Sequence, residues 1–166
     1  MTILDGKKIS NEIKDEIAIE VSQMAHNGER SPHLAAVLVG DDGPSLTYVG
    51  SKVRACERVG FESTLVRLPK TTSEVALLDK IKELNENPEI DGFIIQLPLP
   101  KHINENKVLL AVDPMKDVDG FHPENFGKMA LEMESFIPAT PFGILQLLER
   151  SKIETKGKHT VVIGRS

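Results

Sequence analysis

The stretch HLAAVLVGDDGPSLTYVGSKVRACERVG, residues 33–60, decides the fold class of this chain. Residues 33–40 are almost continuously apolar, which is typical of a parallel strand that is covered on both faces. Residues 41–45 predict a turn, and Ser45 is a candidate cap for the helix that follows. That helix extends to Gly60, where the pattern ends. A buried strand, a turn and a helix form the repeating unit of an α/β protein.

Two polar side chains stand out on the helix of residues 47–60. Tyr48 and Lys52 are four residues apart, so an α-helix places them on one face. A half-buried helix with a phenol and an amine at its edge is a candidate wall for a ligand site. An isolated Tyr-x-x-x-Lys is more often part of an ordinary amphipathic helix whose lysine reaches solvent. The apolar side of the helix consists of Val49, Val53, Cys56 and Val59.

The rest of the chain continues the alternation of helices and strands. A helix with apolar residues at intervals of four and three precedes the first strand, and further βα units follow it. This order predicts an α/β protein with a mostly parallel sheet. The predicted elements are helices at 5–28, 47–60, 104–111 and 144–150, a helix after the capping signal at 71–74, and strands at 33–40, 61–68, 90–97 and 159–163.

Two stretches rich in turn-forming residues interrupt this alternation. Residues 113–127, DPMKDVDGFHPENFG, are too polar to belong to the core, and a loop of this length is often functional. We interpret His122 within it as a loop histidine. Residues 138–143, PATPFG, begin the next helix, with Thr140 as a candidate cap and Pro141 at the first helical position.

The composition excludes several classes of function. The chain has 166 residues, enough for one domain with a substantial core, and its net charge of −5 includes no basic block, which argues against nucleic acid as a partner. The sequence has no apolar run long enough to span a membrane, and we do not expect its polar N-terminus to be a signal peptide. The single cysteine, Cys56, excludes an internal disulfide, fits a reducing cytoplasm and indicates a packed thiol. The histidines show no metal-ligand spacing, so no metal is expected.

Polar residues gather where the predicted strands end. In open α/β sheets, ligands bind beyond the carboxyl ends of the strands. Tyr48 and Lys52 follow the first strand, Gln96 ends the third, and Asp117 and Asp119 lie in the long loop. Taken singly, each has a commoner structural explanation, such as an Asp-Gly turn or a glutamine that satisfies backbone groups. Their joint position predicts a small-molecule site that combines an amine, an amide, a phenol and carboxylates.

Five motifs occur in order and at matching separations: TYVGSKVRACERVG, DGFIIQLPLP, PMKDVDGFHPENFG, FIPATPFGILQLL and HTVVIGRS. Together they resemble the bifunctional methylenetetrahydrofolate dehydrogenase/methenyltetrahydrofolate cyclohydrolase family of the bacterial FolD type, from about residue 3 to the last residue. One motif alone is a weak signal, whereas five in order are specific. The resemblance implies two α/β domains with a folate cleft between them, the second domain being a Rossmann-type domain for NADP, or NAD in some members.

The end of the chain bears on its domain organisation. The chain stops at HTVVIGRS, a strand-like run followed by glycine, and we expect it to be cut inside a further βα unit. From composition alone, the domain boundary is predicted near residues 140–156. With the resemblance, residues 1–146 are expected to form a mostly parallel, three-layer folate-binding catalytic domain. Residues 147–166 are then the linker and the first strand of a truncated Rossmann-type domain.

The resemblance also implies roles for individual residues. Lys52 would be essential for the cyclohydrolase step, and Gln96 would hydrogen-bond it and tune it. Tyr48 would stack on the aminobenzoyl ring, and Asp119 would hold the pterin ring through its amide-like nitrogens. One departure from the family pattern is Ala139, where many members have Cys and where the role looks like packing. The other positions implied are Leu97, Pro98, Pro138, Thr140 and Gly143 for the folate, and Gly164, Arg165 and Ser166 for the cofactor phosphates.

The implied activity has two steps and no metal. 5,10-Methylenetetrahydrofolate is oxidised with NADP to the methenyl compound, which is then hydrolysed to 10-formyltetrahydrofolate. The resemblance implies a cytoplasmic enzyme of one-carbon metabolism, linked to purine, methionine, histidine and other amino-acid biosynthesis, and a homodimer at full length. Because nearly all of the cofactor domain would be absent, we expect no dehydrogenase activity and weak or absent cyclohydrolase activity from these 166 residues.

The residue types suit that chemistry. Hydride transfer depends on positioning and on the cofactor more than on a protein acid or base. Attack of water on the methenyl carbon needs proton transfers, and burial or a neighbouring cationic substrate brings the pKa of an amine toward the useful range. An amide can hydrogen-bond the amine without adding a charge. A carboxylate can accept two N–H bonds from a pterin edge.

Two alternatives from other classes stay open. A non-catalytic α/β domain that binds small molecules in the same cleft predicts folate binding that is insensitive to a change at Lys52. The substrate domain of another two-domain NAD(P) dehydrogenase, of an amino-acid or shikimate type, predicts binding of those substrates instead. The match of five motifs favours the folate enzyme over both.

Overall fold

The chain folds into alternating helices and strands, as the sequence pattern predicts. The computed structural model describes residues 3–41 and 43–164. Within these residues, three strands form one parallel sheet that six helices accompany. In chain order the elements are α1 (Gly6–His26), β1 (His33–Val39), α2 (Gly43–Val59), β2 (Glu62–Leu68), α3 (Glu74–Glu86), β3 (Gly92–Ile95), α4 (Glu105–Leu110), α5 (Pro123–Ala130) and α6 (Ala139–Arg150).

β1 is the central strand, and its side chains alternate between two apolar layers. It pairs in parallel with β2 on one edge and with β3 on the other. Ala35, Val37 and Val39 belong to a cluster with buried residues of α3 and α4. Ala36 packs on the opposite side with Val49 of α2. Because helices cover both faces, the strand is continuously apolar, and the predicted three-layer α/β architecture is confirmed.

α1 packs on α2, and α6 packs on α1. Arg58 of α2 donates to the Asp15 carboxylate at 2.7 Å, and Arg150 of α6 donates to both carboxylate oxygens of Glu16 at 2.6 and 2.7 Å. An apolar cavity of about 580 Å³ lies between the three helices, and we call it the α1–α2–α6 groove. Its lining includes Ile9, Ile13, Lys14, Ile17, Lys52, Ala55, Cys56, Phe142, Gly143 and Leu147.

Two helix starts differ from the sequence prediction. Ser45 is not a cap, because α2 already begins at Gly43 and Ser45 lies buried in its first turn. Thr140 is not a cap either, because α6 begins at Ala139 and Pro138 occupies the capping position without a side-chain hydrogen bond. In both cases the helix begins one or more residues before the polar side chain that the sequence singles out.

The stretch predicted as a long polar loop contains a helix. α5 starts at Pro123, inside residues 113–127, with the proline at the first helical position. His122 is its cap, since its Nδ1 accepts the Glu124 N–H at 3.2 Å. The interpretation of His122 as an ordinary loop histidine is therefore wrong. The polar composition of the segment concealed a capping signal made by a histidine and a proline.

The predicted strand at residues 159–163 is not formed. These residues are irregular, and Val162 and Ile163 are 89% and 95% exposed. A strand needs a neighbour that supplies hydrogen-bond partners, and none of the described strands pairs with this segment. The described residues therefore contain no Rossmann-type sheet. The boundary predicted between residues 146 and 147 lies inside α6, and the division into two domains stays a prediction.

Gly120 allows the segment before α5 to lie directly against the segment before α6. Its φ is +67°, in the left-handed region that favours glycine. A Cβ at this position would lie 2.8 Å from the Phe136 carbonyl oxygen and 2.8 Å from the Pro138 nitrogen. Both neighbours are backbone atoms, so they cannot move aside as a flexible side chain would.

Gly120→Ala is expected to destabilise the chain by about 2–5 kcal/mol. A left-handed non-glycine residue costs about 1–2 kcal/mol and overpacking about 1–3 kcal/mol. Urea unfolding followed by circular dichroism measures the change. Gly127→Ala is the matched control, because Gly127 lies within α5 with open space around it, and there alanine should stabilise by about 0.5–1 kcal/mol. Equal effects at the two positions would contradict this account.

Candidate functional site

The residues with candidate chemistry lie at the carboxyl end of the sheet. Tyr48 and Lys52 are on α2, which follows β1, whereas Gln96 directly follows β3 and Asp119 lies between α4 and α5. The Gln96 N–H donates to the Val37 carbonyl at 2.9 Å, which ties it to the central strand. Because the strands are parallel, all of their carboxyl ends meet at one edge, where ligands of α/β proteins bind.

Lys52 and Asp119 are close enough to interact electrostatically. Burial raises the pKa of Asp119, and the neighbouring positive charge of Lys52 opposes that rise without cancelling it, while Asp117 adds to it. Within the described chain, neither the Lys52 ammonium nor the Asp119 carboxylate has a hydrogen-bond or ion-pair partner. A half-buried carboxylate without donors has lost hydrogen bonds from water. A ligand with N–H groups would replace those hydrogen bonds.

Gln96 contributes a second unsatisfied acceptor. Its Nε2 donates to the Leu97 carbonyl at 2.8 Å, and its Oε1 is buried without a partner among the described residues. The hydrogen bond between Gln96 and Lys52 that the resemblance implies is therefore not formed, because the amide bonds the neighbouring backbone instead. A buried oxygen without a donor costs about 1–3 kcal/mol. Oε1 is thus available to the Lys52 ammonium or to a ligand N–H.

Asp117 organises the loop that carries Asp119. Its carboxylate accepts the N–H groups of Phe121 at 3.3 Å and His122 at 2.8 Å, and the Asn125 amide at 3.0 Å. Asp117 is 5% exposed, so these donors take the place of water. The two aspartates of the motif therefore have different roles. The first holds the turn, and the second is left without donors.

Asn125 is a site residue that the sequence analysis missed. It is buried, and its Nδ2 donates to the Pro114 carbonyl at 2.8 Å as well as to Asp117. It thereby connects the start of the segment before α5 with its end. A signal was present, since Pro123 begins a helix and Asn125 is the third helical residue, from which a side chain reaches back to the preceding turn.

The same segment is anchored to the sheet at Gly92, the first residue of β3. The Phe93 N–H donates to the Lys116 carbonyl at 3.0 Å, and Phe93 forms an isolated parallel bridge with Asp117. A side chain at Gly92 would overlap Val118, so glycine is required for this close approach. The backbone before Asp119 is therefore positioned by the sheet itself.

Other predicted folate-binding residues are divided between two cavities. Lys52 and Gly143 line the α1–α2–α6 groove. Pro98 lines a second cavity, of about 650 Å³, which lies beyond the ends of β1 and β3 and which we call the strand-end cavity. Tyr48 lines neither, and its side chain is 64% exposed. The strand-end cavity is lined by Val39, Gly40, Asp41, Lys70, Pro98, Leu99, Pro100, Lys101 and His102.

The remaining predicted positions differ in accessibility. Pro138 is buried behind Gly120, Leu97 is half-buried after β3, and Thr140 is exposed on α6. Gly164 is exposed in an irregular segment, and Arg165 and Ser166 lie outside the described residues. Neither Leu97 nor Thr140 lines the groove or the strand-end cavity.

The described residues do not fit a dinucleotide. Such a ligand needs a strand before the glycine-rich turn and a helix N-terminus after it. Residues 159–163 form no strand, and no described helix follows them.

The described residues contain neither a metal-ligand cluster nor a membrane-spanning helix. Residues 3–41 and 43–164 contain no group of three or more His, Cys, Asp or Glu side chains arranged to hold a metal ion. None of the helices in these ranges combines the length and the apolar character needed to cross a membrane.

Comparisons with known proteins agree with one another. A family model described as the tetrahydrofolate dehydrogenase/cyclohydrolase catalytic domain matches residues 4–119. Over all 166 residues the chain is 76% identical to the bifunctional protein FolD of Christiangramia forsetii and 70% identical to that of Flavobacterium johnsoniae. In both cases it spans 56% of the relative's length.

Solved structures give the same result. The bifunctional enzyme FolD, a methylenetetrahydrofolate dehydrogenase/cyclohydrolase of Campylobacter jejuni, is 41% identical with a TM-score of 0.96, covering 100% of this chain and 59% of that one. The dehydrogenase-cyclohydrolase of Trypanosoma brucei, complexed with NADP cofactor and inhibitor, is 31% identical with a TM-score of 0.89, covering 95% of this chain and 54% of that one.

Asp119→Asn is expected to stabilise the chain near pH 7. Burial raises the pKa of Asp119, so the folded state loses stability as pH rises through that raised value. Below the ordinary aspartate value of 3.8 both folded and unfolded states hold the proton. The advantage of the neutral amide is therefore complete near pH 7 and disappears as pH falls toward that value, which urea unfolding at a series of pH values would detect.

Asp117→Asn is the matched comparison for this prediction. The same change there removes the charge from an acceptor of three hydrogen bonds, so it is expected to destabilise the chain by about 1–3 kcal/mol. Opposite signs for the two variants support the separate roles. Effects of the same sign would refute them.

Proposed function

The chain belongs to the tetrahydrofolate dehydrogenase/cyclohydrolase family, and from this we propose that it forms the folate-binding catalytic domain of a bifunctional enzyme. The proposed reactions are the oxidation of 5,10-methylenetetrahydrofolate with NADP and the hydrolysis of the methenyl product to 10-formyltetrahydrofolate. The observation that carries the proposal is the pair of Lys52 and Asp119, which lie close together without protein partners at the carboxyl end of the sheet.

Asp119 is proposed to bind the pterin ring. The pterin edge offers an amide-like N–H and an amino group, and an ionised carboxylate accepts both. Asp119 supports this role because it is half-buried and accepts no hydrogen bond from the described protein, whereas Asp117 is already saturated. A bound pterin would supply the donors that burial has taken from Asp119. The geometry of the loop therefore favours the second aspartate over the first.

Lys52 is proposed to transfer protons in the hydrolysis. A water oxygen forms a bond to the cationic methenyl carbon, and the water proton moves to the amine of Lys52. The added hydroxyl then gives up its proton as its oxygen forms the formyl C=O. The bond between that carbon and N5 breaks, N5 keeps the electron pair and takes up that proton, and the formyl group remains on N10. The unsatisfied Gln96 Oε1 supports this assignment, because it can accept a hydrogen bond from the ammonium without adding charge.

Tyr48 is proposed to provide a stacking surface for the aminobenzoyl ring. It lies one helical turn from Lys52 on α2, and its ring is mostly exposed and thus open to a ligand. Five further residues are proposed to contact the folate: Leu97, Pro98, Pro138, Thr140 and Gly143.

Several wider properties are proposed on the family resemblance alone. They are NADP rather than NAD as cofactor, a cytoplasmic location, a homodimer at full length, and a place in one-carbon metabolism that supplies purine, methionine and histidine biosynthesis. Contact of Gly164, Arg165 and Ser166 with the cofactor phosphates belongs to the same group. A complex with NADP is described for the homologue of Trypanosoma brucei.

Lys52→Met is expected to remove hydrolysis while preserving binding. Isothermal titration with 5,10-methenyltetrahydrofolate measures affinity, and the loss of the methenyl absorbance measures turnover. The chain is expected to hydrolyse the compound weakly, and Lys52→Met should lower that rate by about 100-fold or to the uncatalysed rate, because a positioned proton-transfer group contributes about 10²–10⁴-fold. Asp119→Asn should instead abolish binding.

Lys14→Met is the control, because Lys14 is a half-buried lysine that lines the same α1–α2–α6 groove. It is expected to leave turnover unchanged. Folate binding without hydrolysis that depends on Lys52 would favour a non-catalytic binding domain. Binding that is unaffected by Asp119→Asn would refute the proposed pterin site.

A further inference from the structure

We propose that Lys116 is a positioning residue that places Asp119 beside Lys52 by anchoring the segment before α5 to the C-terminal end of α3, an inference that rests on the proposed function. Lys116 is half-buried. Its ammonium donates to the Leu84 carbonyl at 3.0 Å and to the Asn87 carbonyl at 2.6 Å. Neither ligand chemistry nor contact with the reacting atoms is assigned to this lysine.

The end of α3 has a need that Lys116 meets. An α-helix leaves its last four carbonyl groups without partners inside the helix, and its C-terminal end carries a partial negative charge. The last turn of α3 contains no basic side chain. Lys116 comes from a later part of the chain and supplies both donors and a positive charge. It forms no ion pair within the described chain, so its charge is directed at the helix end.

The same helix end also holds the start of the segment. The Asn85 Nδ2 donates to the Ala111 carbonyl at 2.8 Å, and the Asn85 Oδ1 accepts the Asp113 N–H at 2.9 Å. The Lys116 N–H donates in turn to the Asp113 carbonyl at 2.8 Å. Residues 111–116 therefore lie against the last turn of α3. Of these side-chain attachments, Lys116 is the one nearest to Asp119 along the chain.

Beyond Lys116 the chain crosses the edge of β3 to the other face of the sheet. The Lys116 carbonyl accepts the Phe93 N–H at 3.0 Å, so side chain and backbone hold this residue from two directions. Val118 packs in the apolar cluster of β1, β3 and α2, whereas α3 packs on the opposite face. Asp119 then emerges on the α2 side, where Lys52 lies. With only two residues between Lys116 and Asp119, a shift of the lysine is passed on to the carboxylate.

The hydrogen bonds on the far side of Asp119 do not replace this attachment. Asp117 accepts hydrogen bonds from His122 and Asn125, which belong to the loop and to α5. These bonds define the shape of the loop, whereas the Lys116 side chain connects the loop to α3. Loss of the ammonium is therefore expected to leave the loop formed but less precisely placed.

The first test separates affinity from turnover in the hydrolysis of 5,10-methenyltetrahydrofolate by this chain. Lys116→Met removes both donors and keeps most of the apolar stem. It is expected to raise KM by about 10- to 100-fold, because a misplacement of about 1 Å can cost about 100-fold. It should leave kcat unchanged, because Lys52 is carried by α2. Lys116→Arg keeps the charge and the donors and should restore most of the affinity.

The second test needs no folate. Carboxyl-carbon NMR follows the titration of Asp119, whose pKa is raised by burial and is further affected by the charges of Lys52 and Asp117. Lys116 is not among these charges, so it acts on this pKa through position. In Lys116→Met, water reaches the loosened segment and the pKa is expected to fall toward 3.8. Lys116→Arg should keep the raised value. A general loss of stability would not change the titration of the folded protein.

Lys107→Met is the matched control. Lys107 is also bonded to α3, but at the N-terminal end, where its ammonium donates to the Glu74 carboxylate at 2.6 Å. This variant is expected to keep both KM and the pKa of Asp119. If Lys116→Met does not fold, Lys116→Gln takes its place, because its shorter neutral amide keeps a donor. It should change both quantities in the same direction by a smaller amount.

The outcomes separate the two proposals. If folate binding depends on Asp119 but the Lys116 variants change neither KM nor the titration, the positioning role is overturned and the proposed function stands. A fall in kcat at unchanged KM, or an equal effect of Lys107→Met, overturns the positioning role as well. If no folate binds, the proposed function fails. The titration then decides alone, and an unchanged pKa of Asp119 overturns the positioning role.

Discussion

Parallel pairing of β1 with both neighbouring strands is the constraint on which the candidate site depends. Because β1 is covered on both faces, its register against β2 and β3 is determined by apolar packing. The carboxyl ends of the strands then lie at one edge of the sheet. The helix and loop segments that follow the strands are therefore brought to the same edge. α2 brings an amine and a phenol, the residue after β3 brings an amide, and the bridge from Phe93 to Asp117 brings the loop with its carboxylates.

Asp117 and Asp119 are separated by a single residue, yet they have different roles. The difference comes from their surroundings, because the two side chains are chemically identical. Asp117 is surrounded by donors, and its charge is used within the protein to hold a turn. Asp119 points to no donor of the described chain, and burial acts against its charge. The first depends on Asn125 for one of its hydrogen bonds, so the position of the second depends indirectly on a side chain that does not touch it.

The sequence predicts features that depend on neighbouring residues along the chain. It does not predict features that depend on partners elsewhere in the fold. The apolar run of β1 and the four-residue spacing of Tyr48 and Lys52 depend on periodicity alone, and they identify the strand, the helix and the edge where the site lies. The hydrogen-bond partner of Gln96 could not be predicted, because its amide can bond either Lys52 or the neighbouring backbone. In the structure it donates to the Leu97 carbonyl. Residues 159–163 have strand composition, but a strand also requires a neighbour. Ser45 and Thr140 resemble caps only if the helix start is already known.

The unsatisfied carboxylate of Asp119 has a consequence for the evolution of this fold. A single base change converts an aspartate codon into an asparagine codon. The neutral residue, which is expected to make the folded protein more stable, can therefore arise by one mutation. Mutation without selection would therefore tend to remove the acid. A lineage that keeps the acid must gain from ligand binding enough to offset the lower stability of the protein without ligand. If Asp119 binds the pterin as proposed, its retention reflects that use, and a relative with asparagine there would be expected to fold well and to bind folate less tightly.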